Sequence, residues 1–194
     1  MNDAEILNLF RSSGALLEGH FQLTSGLHSP NYFQCARVLQ YPRNAETLCG
    51  LLAARFRSDR IDAVVSPALG GIVVGQEVGR QLGVRTMFTE RKNGLMELRR
   101  GFTISRGERI LVCEDVITTG GSVGEVIEIV ERSGGVVAGV AAIVDRSGGT
   151  VRLPNFVPAM TMHVVTYPPE NCPLCRNNIP VEKPGSRSQA VSNR

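Results

Sequence analysis

No apolar run in this chain approaches the roughly 20 residues that a membrane-spanning helix needs. The opening residues Met-Asn-Asp-Ala-Glu lack the basic-then-apolar order of a signal peptide. Together these point to a cytoplasmic protein with no membrane partner. An excess of one charge is missing too. The 21 lysines and arginines against 18 acids leave only +3, which argues against a chain-wide nucleic-acid binder. The five cysteines are odd in number and show no framework spacing, so a disulfide scaffold is excluded and a reducing compartment fits. His20, His28 and His163 stand apart in the sequence, and none is assigned to a metal. Cys172-Pro-Leu-Cys175 is half a zinc site, a redox pair, or two unliganded thiols. A closed zinc site needs four ligands. The tail supplies no second pair, although a symmetric copy could, so unliganded thiols are the weightier reading and the set of metal-binding residues is expected to be empty.

What is present is an ordinary enzyme composition, 42% hydrophobic and 20% charged, in 194 residues, enough for one domain with a sizeable core. One stretch organises it. Ile110 to Cys113 is an apolar run suited to a buried strand. Glu114 and Asp115 follow, then Val116, Ile117 and the small-residue loop Thr118, Thr119, Gly120, Gly121, Ser122. Val123, Val126, Ile127 and Val130 then recur at helical spacing. The order is therefore strand, acid pair, phosphate-sized loop, helix. Loop amides and a helix N-terminus hold an anion without a cationic side chain, and two carboxylates beside it can hold hydroxyls or a metal. A sugar phosphate satisfies both. A tight turn with dipole-partnered acids would explain each half separately, but not the two together.

Taken in order, residues 3–11 form a short helix with Asp3 as its cap. Residues 15–23 are irregular or a strand, and 24–33 are a polar, aromatic-ended stretch that is equally well an ordinary loop. A helix spans about 44–57. A strand at 61–66 leads through Pro67-Ala-Leu-Gly-Gly71 into a helix at 72–82 that Gly83 ends. A strand at 84–89 precedes the charged excursion 90–100, with 101–105 as its returning partner. Strand 109–114, helix 122–133, strand 136–145 and strand 160–166 complete the pattern. Alternating strands and helices predict an α/β fold, a parallel twisted sheet flanked by helices, with a small N-terminal hood and a charged lid loop. Ligands of such sheets bind outside the strands' carboxyl ends. The 67–71 loop, the excursion, the 114–122 loop and Asp145-Arg146 all fall there. The expected organisation is one domain over 1–169 and an extended arm or partly disordered tail over 170–194.

The excursion, with Arg91, Lys92, Arg99 and Arg100, is either a mobile lid or a solvated charged hairpin. A lid suits chemistry at a sugar's anomeric carbon, whose cationic centre water would destroy.

The stretch Val112-Cys-Glu-Asp-Val-Ile-Thr-Thr-Gly-Gly-Ser122 resembles the phosphoribosyl pyrophosphate (PRPP) signature of the type I phosphoribosyltransferases. Within that family the chain is most similar to the subgroup that uses orotate. Ser25-Gly-Leu-His-Ser-Pro-Asn-Tyr-Phe33 resembles that subgroup's Ser-Gly-x-x-Ser-Pro-x-Phe element, and Asp145-Arg146 its Asp-Arg. The resemblance spans roughly 15–166. It implies transfer of phosphoribose from PRPP to orotate with Mg²⁺ as cofactor, in a homodimer whose lid reaches the partner's site. By resemblance Glu114 and Asp115 hold the ribose hydroxyls, with Asp115 nearest the reacting centre. Val116 to Ser122 line the PRPP phosphate, Leu69 and Gly70 the pyrophosphate, and Arg91 and Lys92 act from the lid, Lys92 catalytically. Thr118, Arg146, Tyr32 and Phe33 border orotate. The subgroup often has lysines where this chain has Gly70 and Thr24, and the lid lacks the usual mid-loop lysine and histidine. Those departures leave open a different base, or a PRPP-sensing regulator without catalysis.

Overall fold

A computed structural model describes residues 1–23 and 25–184. Thr24 and the last ten residues of the expected tail, 185–194, lie outside the described residues. In chain order the elements are α1 (Asp3–Ser12), β1 (Leu16–Gln22), β2 (His28–Phe33), α2 (Cys35–Leu39), α3 (Pro42–Phe56), β3 (Ala63–Pro67), α4 (Gly70–Leu82), β4 (Arg85–Lys92), β5 (Leu95–Leu98), β6 (Arg109–Ile117), α5 (Gly121–Arg132), β7 (Val136–Asp145), β8 (Phe156–Thr161), a 3₁₀ turn (Pro169–Asn171) and α6 (Pro173–Arg176). They fall into two compact units, one of Met1–Ala15 with Cys35–His163, the other of Leu16–Gln34 with Val164–Arg194. This partition differs from the expected division at residue 169, because part of the tail associates with the first hairpin.

The larger unit is a six-stranded sheet in the order β5-β4-β3-β6-β7-β8. All neighbours are parallel except β4 and β5, so the sheet is mixed rather than purely parallel. Its central strands are apolar on both faces because helices cover both. Ala63, Val64, Val65, Ile110, Leu111, Val112 and Cys113 are fully buried. Val123, Val126 and Val130 of α5 pack onto Val65, Val112 and Ala142, as their helical spacing predicts. α1 is capped by Asn2 rather than Asp3: the Asn2 side chain accepts from the Glu5 amide at 3.0 Å, and the Glu5 carboxylate accepts from the Asn2 amide at 2.9 Å. β6 runs three residues further than expected, through the acid pair to Ile117.

From β3 the chain moves one way to β4, and the next parallel strand, β6, lies on the other side of β3. The carboxyl ends of β3 and β6 therefore flank a topological switch point, where open α/β sheets bind ligands. The 68–69 and 118–120 loops leave from those two ends.

The charged excursion is a two-residue hairpin. Arg91 pairs with Met96 and Lys92 with Leu95, and Asn93 and Gly94 turn with φ of 51° and 84°. That Asn-Gly pair is the signature of a type I′ turn. The returning strand is thus 95–98 and not 101–105, and Met96 anchors it by burial. Gly94→Val places a β-branched residue at a left-handed φ, at a cost of order 1–3 kcal/mol. The expected result is faster amide hydrogen exchange over residues 90–98 and little change in the β3 and β6 amides. Unchanged exchange in the hairpin would mean that the turn does not hold it.

Candidate active site

β6 delivers both acids from one strand end. Glu114 is only 9% exposed, and its Oε1 accepts from the Asp115 amide at 2.9 Å. Asp115 Oδ1 accepts from the Val116 amide at 2.8 Å. Burial pushes the Glu114 carboxyl well above its ordinary range, and the neighbouring Asp115 charge pushes it further. Burial also raises Asp115, against the pull of its backbone hydrogen bonds. Burial of two adjacent carboxyls, the charge of one raising the proton affinity of the other, marks the pair as a candidate functional site.

The β3 loop meets this pair directly. A Cβ on Gly70 would overlap the Asp115 carboxylate, and one on Gly71 would lie 2.9 Å from Glu114 Oε1 and 3.2 Å from the Cys113 carbonyl. Only glycine lets the backbone come this close. The structure thus brings Leu69, Gly70 and Gly71 to the acids, with Leu69 largely exposed and the Ala68–Leu69 peptide cis.

Beyond Ile117 the strand opens into exposed Thr118 and Thr119. Gly120 starts α5 with φ of 77° and no side-chain cap, and no acid stands in the first turn. The first amides of α5 have no capping side chain, and a helix N-terminus of this kind is a seat for phosphate. Ile117 pairs with Asp145 across the sheet, and the Arg146 amide donates to the Ile117 carbonyl at 2.8 Å. Asp145 is buried and fixes the following turn by accepting from the amides of Ser147 at 2.8 Å and Gly149 at 3.2 Å. Arg146 therefore leaves the sheet beside the 118–120 loop, where the sequence placed it.

The basic residues are less uniform. Arg91 forms a two-pronged pair with Glu125, one turn into α5, and donates to the Gly94 carbonyl at 2.8 Å. Arg99 and Arg100 both pair with Glu90, at 3.4 and 3.0 Å. Lys92 is exposed and makes no ion pair among the described residues. Tyr32 and Phe33 lie on β2, in the other unit. Two participants escaped the sequence reading. Glu125 carries no signal in the sequence that sets it apart from the other acids of its helix. Cys35 is fully buried; burial raises its thiol most, and the Asp115 and Arg146 charges act on it in opposite directions. A single cysteine far from the motif carries no signal that could have found it. His20 and His28, which looked isolated, are in contact: their rings stand 4.7 Å apart.

Comparison with known proteins came to the same region. The family model described as the phosphoribosyl transferase domain matches residues 37–157. The orotate phosphoribosyltransferase of Chlorobaculum parvum is 59% identical over 191 residues, covering 98% of this chain and 99% of its own. That of Pelotomaculum thermopropionicum is 58% identical over 188 residues, covering 96% and 99%. Among solved structures, the orotate phosphoribosyltransferase of Aeropyrum pernix superposes with a TM-score of 0.69 at 25% identity, covering 81% of this chain and 93% of that one. An adenine phosphoribosyltransferase from Thermoanaerobacter pseudethanolicus shares the fold, with a TM-score of 0.61 at 16% identity over 68% and 88%.

The raised Glu114 carboxyl has a stability consequence. Its folded form binds the proton more tightly than the unfolded chain, whose glutamates ionise near about pH 4.3. Its stabilising contribution is full below that value and is lost as pH rises through the higher folded value. Glu114→Gln should therefore raise the Tm of the ligand-free chain at about pH 8, by roughly 2–4 °C for each kcal/mol relieved, and change it little at about pH 4. Equal shifts at both pH values, read by calorimetry, would refute the assigned burial cost.

Proposed function

The chain belongs to the phosphoribosyltransferase family, in its orotate phosphoribosyltransferase branch, and from that premise we infer that it transfers the 5-phosphoribosyl group of PRPP to orotate. The products are orotidine 5′-monophosphate and pyrophosphate, a step of pyrimidine biosynthesis. The observation that carries this reading to the residues is the packing of Gly70 against Asp115. It sets the Gly70 turn and the acid pair side by side at the switch point, which supports reading one as the diphosphate seat and the other as the hydroxyl partner.

The roles follow from charge and reach. The amides of Thr118 to Ser122 and the uncapped start of α5 hold the 5′-phosphate. Glu114 and Asp115 take the ribose hydroxyls, and their charge favours the cationic character that grows at the anomeric carbon as pyrophosphate leaves. Leu69 and Gly70 receive the departing pyrophosphate with backbone amides. Arg146 meets the carboxylate or a ring carbonyl of orotate, for which a guanidinium fork is suited. Thr118 borders the base.

A divalent cation fits this donor set, because two buried carboxylates lie beside a loop that has no lysine. When bound with PRPP, Mg²⁺ supplies charge neutralisation on the leaving diphosphate. Lys92 makes no ion pair among the described residues, and it acts catalytically on the pyrophosphate side. Arg91 joins it there on exchanging Glu125 for the substrate. We place both across a homodimer interface, at the partner's site. The five cysteines are free thiols, which fits a reducing, cytoplasmic setting; no helix among the described residues is long and apolar enough to cross a membrane.

The direct test mixes the chain with PRPP, Mg²⁺ and, separately, orotate, uracil, adenine and hypoxanthine, and follows pyrophosphate release. Release with orotate alone is expected. Release only with another base overturns the base assignment, and release with none favours a PRPP-sensing regulator. A second measurement addresses Arg146. Arg146→Ala should raise the KM for orotate by at least tenfold, the equivalent of about 1.4 kcal/mol, with a much smaller change for PRPP. Equal changes for both substrates would remove Arg146 from the base pocket.

A further inference from the structure

The smaller unit contains a side-chain cluster that the transferase chemistry does not use. β1 and β2 pair antiparallel, with Gln22 opposite His28 and a register shift between Glu18 and Phe21. His20 sits in that irregularity and its Nε2 lies 2.8 Å from His28 Nδ1. The C-terminal segment closes on this hairpin through backbone hydrogen bonds. Tyr167 and His28 exchange two at 2.8 Å, Gln22 donates to Glu182 at 2.8 Å, and Glu182 donates to His20 at 2.8 Å. Between these two tethers runs the four-residue helix α6, with Cys172 as its N-cap residue. Spacing of three places Cys172 and Cys175 on one side of that turn.

Four potential ligand atoms converge there. His20 Nε2, His28 Nδ1, Cys172 Sγ and Cys175 Sγ all lie within 4.8 Å of one another. The sulfur-to-nitrogen separations are 3.5 Å for Cys172 to His20, 3.7 Å for Cys175 to His20 and 3.3 Å for Cys175 to His28. A tetrahedral zinc with ordinary bond lengths sets sulfur–nitrogen edges of about 3.6 Å and nitrogen–nitrogen edges of about 3.4 Å. The three sulfur–nitrogen separations match those edges, whereas the nitrogen pair, at 2.8 Å, must open slightly around an ion.

The surroundings fix the chemistry of the first histidine. His20 Nδ1 lies 2.7 Å from the Ile179 carbonyl, an acceptor only, so Nδ1 carries the proton and Nε2 presents its lone pair to the cluster. A ring held this way by a backbone carbonyl is the common outer-shell arrangement of a metal-binding histidine. His20, His28 and Cys172 are 2%, 6% and 1% exposed, so these polar groups have left water and need partners. A shared proton would satisfy the two nitrogens but leave both sulfurs with weak contacts, whereas one soft divalent cation satisfies all four. The unit has a small apolar core in which to bury them, and small units commonly depend on a metal or disulfide.

We propose that His20, His28, Cys172 and Cys175 bind one Zn²⁺ as a closed, structural Cys₂His₂ site that pins the C-terminal segment to the β1–β2 hairpin. The two histidines supply within one chain the ligand pair that Cys-x-x-Cys lacks, so no symmetric copy is needed. Four protein ligands leave no open coordination position, which makes the site structural rather than catalytic. Its existence does not depend on which base the transferase uses.

The test uses the full chain, purified without chelator and analysed by elemental mass spectrometry. About one zinc per chain is expected, with less than about a tenth of that in Cys172→Ser/Cys175→Ser. Because that variant risks misfolding, Co²⁺ is also exchanged into the wild-type chain. Intense visible d–d bands and a near-ultraviolet thiolate-to-metal band are expected, both altered in Cys175→Ser and with tetrahedral intensity kept in Cys175→His. Chelation should lower the wild-type Tm and leave that of the double variant unchanged. A wild-type chain that stays metal-free after refolding with excess Zn²⁺ overturns the proposal. So does a Cys172–Cys175 disulfide in that chain, zinc retained in full by a folded double variant, or a Co²⁺ spectrum without a thiolate band.

Discussion

The constraint on which the catalytic unit depends is the burial of two adjacent carboxylates at the end of a central strand. β6 could not end there if it served only the core, because burial disfavours the ionised form of both groups. The arrangement is tolerated because the strand is flanked by apolar neighbours fully removed from water, among them Val65, Val112 and Val140. Hydrophobic packing of that kind carries the stability from which a strained polar site can be drawn. The backbone does the rest: the Asp115 and Val116 amides each give one hydrogen bond to the acids, which orients the carboxylates without neutralising them.

The two units reach order by different physics. The sheet unit has a continuous apolar core between β3, β6, β7 and α5. The hairpin unit has few buried apolar side chains, Phe21 and Phe33 among them, and devotes buried positions to His20, His28, Ser29 and Cys172. Its strands and C-terminal segment are joined by main-chain hydrogen bonds and by polar side chains. Such groups stabilise only when every partner is met, which is why a half-satisfied polar cluster is worse than an apolar one.

Much of the sheet unit was legible in the sequence because its signals are local. The periodicity of Val123, Val126 and Val130, the run Ile110–Cys113, and the ten-residue strand Val136–Asp145 each fix an element within a few residues. The acid pair and phosphate loop were legible for the same reason, as one strand–loop–helix segment. The charged excursion was legible as a hairpin, but its returning strand was placed at 101–105, past the Asn93-Gly94 turn that sets it at 95–98. Long-range pairings were not legible. Nothing in the sequence says that a helix near residue 173 packs on a strand at residue 20, so the tail read as a loose arm and the histidines as isolated. Cys35 is likewise near Asp115 only through the fold.

Position 70 shows how one residue sets the rest of the site's chemistry. With Gly70 against Asp115, any side chain at position 70 displaces a carboxylate that the Val116 amide holds. The close approach and a loop lysine are therefore exclusive in this packing. Choosing the approach leaves the diphosphate loop with backbone donors alone. Positive charge has to arrive from elsewhere, and the hairpin holds most of its own in reserve: Arg99 and Arg100 on Glu90, Arg91 on Glu125. Each of these pairs is solvent-exposed and so worth little, about 0–1 kcal/mol. The hairpin therefore holds its arginines only loosely, through pairs that water and salt weaken.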